Sequence, residues 1–223
     1  MLFQVPNVLA ADELNQVRSH LEQAKFIDGK LTAGWYAKPV KRNQQVQASN
    51  SAGQTVKSLI IEALRRNTLF QTAVRPRRIH SLLLSRYDIG MEYGRHTDNA
   101  LMGGDAFWRS DVSFTLFLSD PSEYEGGELV IESADNEQPY KLEAGSALAY
   151  PSTSLHRVNP VTKGIRLVAA GWVQSLVRDA SDREMLFDLE TVRRSTFAQH
   201  GKTPEFDLLS KSIANLLRKW VEP

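Results

Sequence analysis

Apolar residues recur at two different periods along this chain, and the changes of period divide it in three. Through the first 77 residues the period is helical. Leu14, Val17, Leu21 and Ala24 share one face of a helix that Asp12 can cap. A second helix is predicted after Ser49-Asn50-Ser51, with Val56, Leu59, Ile60, Ala63 and Leu64 as its core-facing stripe. The stretch 34–48 between them is polar and irregular. From 78 to 177 the period shortens to that of strands, predicted at 79–87, 94–98, 112–118, 128–132, 146–150, 155–158 and 165–174. Turn signals separate them, including Gly126-Gly127, Glu143-Ala144-Gly145 and the stretch 160–164. Short strands at this spacing suggest an antiparallel sandwich or barrel. In 112–118, Val112, Phe114, Leu116 and Leu118 share one face. Ser113, Thr115 and Phe117 share the other, which either lines a polar cavity or faces water.

The tail returns to helix. Asp179 or Ser181 can cap a segment carrying Met185, Leu186, Leu189 and Val192. Thr203 then precedes Pro204, a cap followed by proline at the first helical position. Leu209, Ile213, Leu216, Leu217 and Trp220 form the last stripe, expected to pack on the barrel or on a second copy of the chain. The expected organisation is an N-terminal helical framework (1–77), a β core (78–177) and a C-terminal helical extension (178–223).

Composition narrows the chemistry. The chain has 223 residues and no cysteine, which excludes disulfides, thiolate metal ligands and a cysteine nucleophile. With 27 basic and 26 acidic residues the net charge is +1, which argues against a whole-surface preference for nucleic acid or anionic membrane. The run Arg75-Pro76-Arg77-Arg78 is the local exception, read as a solvated strand entry in preference to a phosphate site. No apolar stretch suffices for a membrane span, and the first residues make a poor signal peptide. A cytoplasmic protein is expected.

Five histidines are present, and two have informative neighbours. His20 and His200 sit in polar contexts that suggest surface positions, and His80 opens a strand as a structural, hydrogen-bonded residue. His96 and Asp98 are two apart, so on a strand they would project from one face as side-by-side ligands. His156 lies in another predicted strand of the same β region. Two imidazoles and a carboxylate are the facial triad of non-haem Fe(II) oxygenases, which leaves one octahedral face open. Arg166 interrupts an apolar strand, where a guanidinium is costly unless it grips a carboxylate. If 160–164 turns a hairpin, His156 and Arg166 share a face of adjacent strands.

The run Tyr87-Asp88-Ile89-Gly90-Met91-Glu92-Tyr93-Gly94-Arg95-His96-Thr97-Asp98 carries a resemblance, together with Tyr124-Glu125-Gly126-Gly127-Glu128-Leu129, Leu155-His156-Arg157-Val158, Arg166 and Gly171-Trp172. The chain resembles 2-oxoglutarate- and Fe(II)-dependent dioxygenases of the prolyl-4-hydroxylase-like superfamily. Within that superfamily it is similar to the bacterial PKHD-type hydroxylases, the PiuC/YbiX group associated with iron uptake. The resemblance implies a double-stranded β-helix, or jelly roll. It also implies Fe(II) on His96, Asp98 and His156, and 2-oxoglutarate held by Arg166 with help from Tyr87. Dioxygen would be the second co-substrate and L-ascorbate the reductant. Trp172 and Ser113 would line the pocket or serve as barrel packing.

The substrate is not readable from these motifs. The loop 99–110, with Met102, Gly103, Gly104, Phe107 and Trp108, is either a substrate-closing lid or packed on the barrel. Three other readings stand beside the hydroxylase: a zinc hydrolase, a nucleic-acid demethylating oxygenase, and a non-enzymatic sensor that binds metal or 2-oxoglutarate.

Overall fold

The strand period of the central region is realised as two facing sheets in a computed structural model, which describes residues 2–103 and 107–222. Gly104 of the expected lid lies outside the described residues. In chain order the first elements are β1 (Phe3–Val5), α1 (Ala11–Glu22), β2 (Phe26–Asp28), β3 (Lys41–Arg42), β4 (Gln44–Val46), α2 (Ser51–Arg66) and α3 (Thr68–Val74). The central strands are β5 (Pro76–Tyr87), β6 (Glu92–His96), β7 (Leu101–Met102), β8 (Trp108–Arg109), β9 (Val112–Phe117), β10 (Tyr124–Gly126) and β11 (Leu129–Glu132). They continue as β12 (Glu137–Tyr140), β13 (Ala147–Pro151), β14 (His156–Val158), β15 (Val161–Gly164) and β16 (Arg166–Ser175), and helices α4 (Ala180–His200) and α5 (Pro204–Trp220) close the chain.

The larger sheet has the order β1-β13-β9-β16-β5-β4-β2, and the smaller β12-β11-β14-β6-β3. β10 pairs with β15, and β7 with β8, as separate ribbons. Strands therefore build the core and helices flank it at both ends. The first 77 residues are not purely helical: β1, β2 and β4 extend the larger sheet and β3 extends the smaller. Pairing to strands far along the chain orders these short polar segments, which local periodicity does not mark.

The helix ends follow local chemistry. α1 begins after Ala10, not at Asp12, because the Glu13 carboxylate accepts from the Ala10 backbone N–H at 2.9 Å and closes the first turn. Asn50 caps α2, Asp179 caps α4, and Thr203 with Pro204 opens α5. α3 carries no cue from periodicity. Asn67 caps it by accepting from Phe70 N at 2.9 Å.

Burial sorts into three clusters. Val56, Ile60, Ala63 and Leu64 of α2 pack with Leu82, Leu84, Phe114 and Leu116 on the outer face of the larger sheet. Fully burying each of the Val, Ile, Leu and Phe side chains contributes about 1.5–3 kcal/mol. Tyr87, Phe117, Leu148 and Val168 of the larger sheet meet Leu129, Ile131 and Val158 of the smaller between the sheets. Leu186 and Ile213 join Val177 between α4 and α5, with Leu209, Leu216, Leu217 and Trp220 around them. The last apolar stripe is thus covered mainly by α4. Met185 and Val192, expected on the buried face of α4, are 49% and 54% exposed.

One expectation about register fails. Residues 160–164 do not turn a hairpin between adjacent strands, because β15 occupies them and pairs with β10. β14 therefore belongs to the smaller sheet and β16 to the larger. His156 and Arg166 reach one cavity from opposite sheets.

Candidate active site

β6 and β14 run antiparallel with His96 directly opposite His156, and their ring centroids lie 4.2 Å apart. Cross-strand pairing, a long-range feature, thus brings the two imidazoles together. Strand 94–98 was expected, but β6 ends at His96. Asp98 therefore arrives from the following loop and not by strand alternation. Its Oδ2 lies 3.8 Å from His156 Nε2, and ligand atoms of all three residues fall within 4.8 Å of one another.

Their surroundings leave these groups able to serve as ligands. His96 Nδ1 lies 2.8 Å from Gly94 O, and His156 Nδ1 lies 3.0 Å from Ser154 O. With each Nδ1–H donating to its carbonyl, Nε2 keeps its lone pair. Ser113 Oγ donates to Asp98 Oδ2 at 2.6 Å, and Ser152 Oγ stands 2.8 Å from Ser113 Oγ. Tyr93 stacks on the His96 ring at 3.7 Å. Burial, reinforced by the neighbouring His156, pushes His96 down to about 4, so the neutral, ligating form prevails at neutral pH. Two imidazoles and one carboxylate, with no thiolate in the chain, suit Fe(II).

The other wall of the cavity is cationic. Arg166 opens β16 and is 1% exposed, yet its Nε and Nη1 have no hydrogen-bond partner. Its guanidinium carbon lies 5.0 Å from the Tyr87 ring centre and 5.7 Å from that of Phe117. Tyr124 Oη and both polar side-chain atoms of Asn43 are also buried without partners. Burial raises the Tyr87 and Tyr124 phenols, and the Arg166 charge opposes that rise. Gly127 makes room for the arginine: a Cβ there would meet Arg166 Cδ at 3.0 Å, and its φ of +66° disfavours any other residue. Buried polar atoms are nearly always satisfied. A guanidinium and an amide left open in one cavity therefore fit a carboxylate-bearing ligand.

The cavity has a volume of about 460 Å³ and is lined by the triad, Arg166 and Tyr87 together. Ser113, Thr115 and Trp172 line it too, so the second face of β9 borders a polar cavity and not bulk water. Sequence periodicity missed Asn43, Lys41 and Tyr36, all from the stretch 34–48. Lys41 is 4% exposed, donates to Thr32 Oγ1 at 3.0 Å, and is pushed down to about 8 by burial, with Asp98 opposing. Tyr36 Oη donates to Asn99 Oδ1 at 2.6 Å, which ties this segment to the loop after the ligand pair. The only cue in this stretch was its basic and aromatic content.

The remaining histidines stay apart from the cavity. His80 stands at a bulge of β5 with Nδ1 3.3 Å from Ser81 Oγ, and its Nε2 has no partner. His20 is half-buried at the end of α1 and His200 is exposed at the end of α4. Arg78 lies over the Trp108 ring at 4.1 Å. Among the described residues no helix is long and apolar enough to cross a membrane.

Comparison with known proteins agrees with this geometry. Residues 82–174 match the family model of the 2OG-Fe(II) oxygenase superfamily. A PKHD-type hydroxylase of Gloeothece citriformis is 68% identical over 225 residues and covers 100% of both chains. One from Picosynechococcus is 64% identical over 222 residues, again covering 100% of both. Among solved structures, HygX from Streptomyces hygroscopicus with nickel and 2-oxoglutarate bound aligns with a TM-score of 0.56 at 16% identity, covering 76% of this chain and 81% of that one. At that identity the likeness bears on the fold, and it supports the jelly-roll core.

Proposed function

We propose that this chain, which belongs to the PKHD-type hydroxylases of the 2OG-Fe(II) oxygenase superfamily, hydroxylates a C–H bond of a peptidyl or small-molecule substrate at the cavity between its two sheets. His96, Asp98 and His156 hold Fe(II), and Arg166 holds the far carboxylate of 2-oxoglutarate. The observation that carries this reading is the buried guanidinium of Arg166, whose Nε and Nη1 stand unpartnered in the same cavity as the triad. A buried charge without a partner costs several kcal/mol, and an anion completing the pair offsets that cost. A zinc hydrolase has no use for this arginine.

Bound Fe(II), with dioxygen and 2-oxoglutarate, supplies the oxidising power for an unactivated C–H bond and releases succinate and carbon dioxide. The chain's own residues bind, orient and exclude. Asp98 contributes the single negative ligand charge, and Ser113 holds its carboxylate in place. The backbone carbonyls of Gly94 and Ser154 fix both imidazole tautomers. Tyr87 presents its hydroxyl to the carboxylate held by Arg166. Met102, Phe107 and Trp172 border the cavity on the side left for substrate and limit entry of water. L-ascorbate is the reductant expected to keep the iron ferrous. A link to bacterial iron uptake follows from likeness to the PiuC/YbiX group.

The test is anaerobic titration of metal-free protein with Fe(II) and then 2-oxoglutarate, followed by oxygen. A weak visible charge-transfer band that needs both ligands, then oxygen-dependent succinate, is the expected result. A band without succinate release would favour the sensor reading. Tight metal binding without a band would refute the 2-oxoglutarate site.

A further inference from the structure

The larger sheet is incomplete at one edge beside the cavity. β4 covers only Arg86 and Ser85 of β5. Among the described residues no strand pairs with the rest of that edge, from Pro76 to Leu84. Unpaired backbone donors and acceptors on an exposed edge are a template for another strand. A groove of about 400 Å³ runs along this edge, lined by residues 79–83. Its outer wall is a stripe of α2: Gln54, Lys57, Ser58 and Ile61, spaced i, i+3, i+4 and i+7.

Two features identify the occupant. Ser81 and Leu83 line both the groove and the metal cavity, so β5 is a wall shared by the two. Among the described residues the groove has no acidic lining residue, and Lys57 in its wall is half-buried with no carboxylate paired to it. Arg77 and Arg78 stand exposed at its far end.

We propose that the free edge of β5 is a docking site for an extended, acidic polypeptide segment of the substrate, which adds to the larger sheet as a further antiparallel or parallel strand. This rests on the hydroxylase reading, since it assigns the substrate to the peptidyl class. Backbone hydrogen bonds supply affinity, and alternate side chains fall toward Lys57 on α2 and toward the cavity mouth. The ladder also sets a distance. Ser81 pairs with Trp172, and Trp172 with Ser113, the residue that holds Asp98. An added strand therefore stands three strand spacings, roughly 14 Å, from Ser113. The residue to be hydroxylated lies about four extended residues along the chain from the docked segment.

The test uses full-length protein with Fe(II) and 2-oxoglutarate under argon, so that the visible band reports the metal centre throughout. The probe is an acetylated heptapeptide of alternating Glu and Val, with a Lys-for-Glu version as control. Binding with slowed amide exchange confined to residues 79–83 is expected. Lys57→Glu and Ser58→Trp, both on the outer wall, should weaken it about tenfold without changing the band. N-methylation of every second peptide amide should abolish binding in one phase and spare it in the other. No binding at millimolar peptide, equal binding of the Lys peptide, or tolerance of both methylation phases would overturn the proposal. So would protection of 79–83 by a second copy of the chain in the absence of peptide. A missing band with the groove results intact would instead count against the metal centre.

Discussion

Replacing Arg166 by methionine keeps most of the side-chain volume and removes the charge, so it separates two readings of this residue. Were Arg166 half of a structural ion pair, its loss would orphan a buried carboxylate and cost about 3–5 kcal/mol of stability. Among the described residues no such carboxylate pairs with it: Nε and Nη1 are unpartnered on a side chain that is 1% exposed. Metal-free Arg166→Met should therefore be as stable as the parent, or more so. The ligand tells the opposite story. A charge-assisted contact to a carboxylate in this dry setting is worth about 3 kcal/mol, or roughly 150-fold in Kd for 2-oxoglutarate. Thermal unfolding under argon reads both effects, the first on metal-free protein and the second with metal present. At 2-oxoglutarate about 100 times the parent's Kd, linkage adds about 2.7 kcal/mol to the parent and only about 0.3 to the variant. For a chain of this length that is an upshift of about 5–10 °C in one and about 1 °C in the other. A ligand-free variant that melts well below the parent, yet keeps the full upshift with 2-oxoglutarate, would refute the reasoning.

Other perturbations read other parts of the site. Ser113→Ala removes the 2.6 Å hydrogen bond to Asp98, and metal affinity measured by chelator competition should fall about 10- to 100-fold. Unchanged affinity would remove Ser113 from the site. Gly127→Ala places a methyl 3.0 Å from Arg166 Cδ at a φ of +66°, so about 1–2 kcal/mol of stability and much of the 2-oxoglutarate affinity should be lost together. Loss of stability alone would mean the arginine does not depend on that space. His96 titrates near 4 when folded, below the ordinary 6.5, so the unfolded chain takes up its proton first. Its contribution is complete above pH 6.5 and is lost as pH falls toward 4, by about 3 kcal/mol. Urea midpoints of metal-free protein should drop across that window, less steeply in His96→Gln, and an equal slope in the two would contradict the assignment.

Much of the architecture was legible because it follows from local pattern. Alternation located β5, β9, β11, β13 and β16 to within a few residues, and the Ser49-Asn50-Ser51 cluster, the Asp179 or Ser181 cap and Thr203 before Pro204 located three helices. Short strands such as β3, β4 and β15 were not legible, since two to four residues carry too little periodicity. Lys41, Asn43 and Tyr36 were missed for the same reason. They reach the cavity because their segment is pinned to distant strands and to Asn99.

What the sequence determined by itself is chemical identity and facing. Two histidines, an aspartate and an arginine in a chain without thiols admit few ligand sets, and period-two alternation says which side chains share a face. Only the tertiary structure decided who meets whom. It set His96 against His156 across β6 and β14, brought Asp98 in from a loop, and carried Arg166 to the opposite sheet. The physical reason is that alternation specifies a strand's faces but not its partner. Partnership is settled by long-range pairing and by the burial that only the closed sandwich provides.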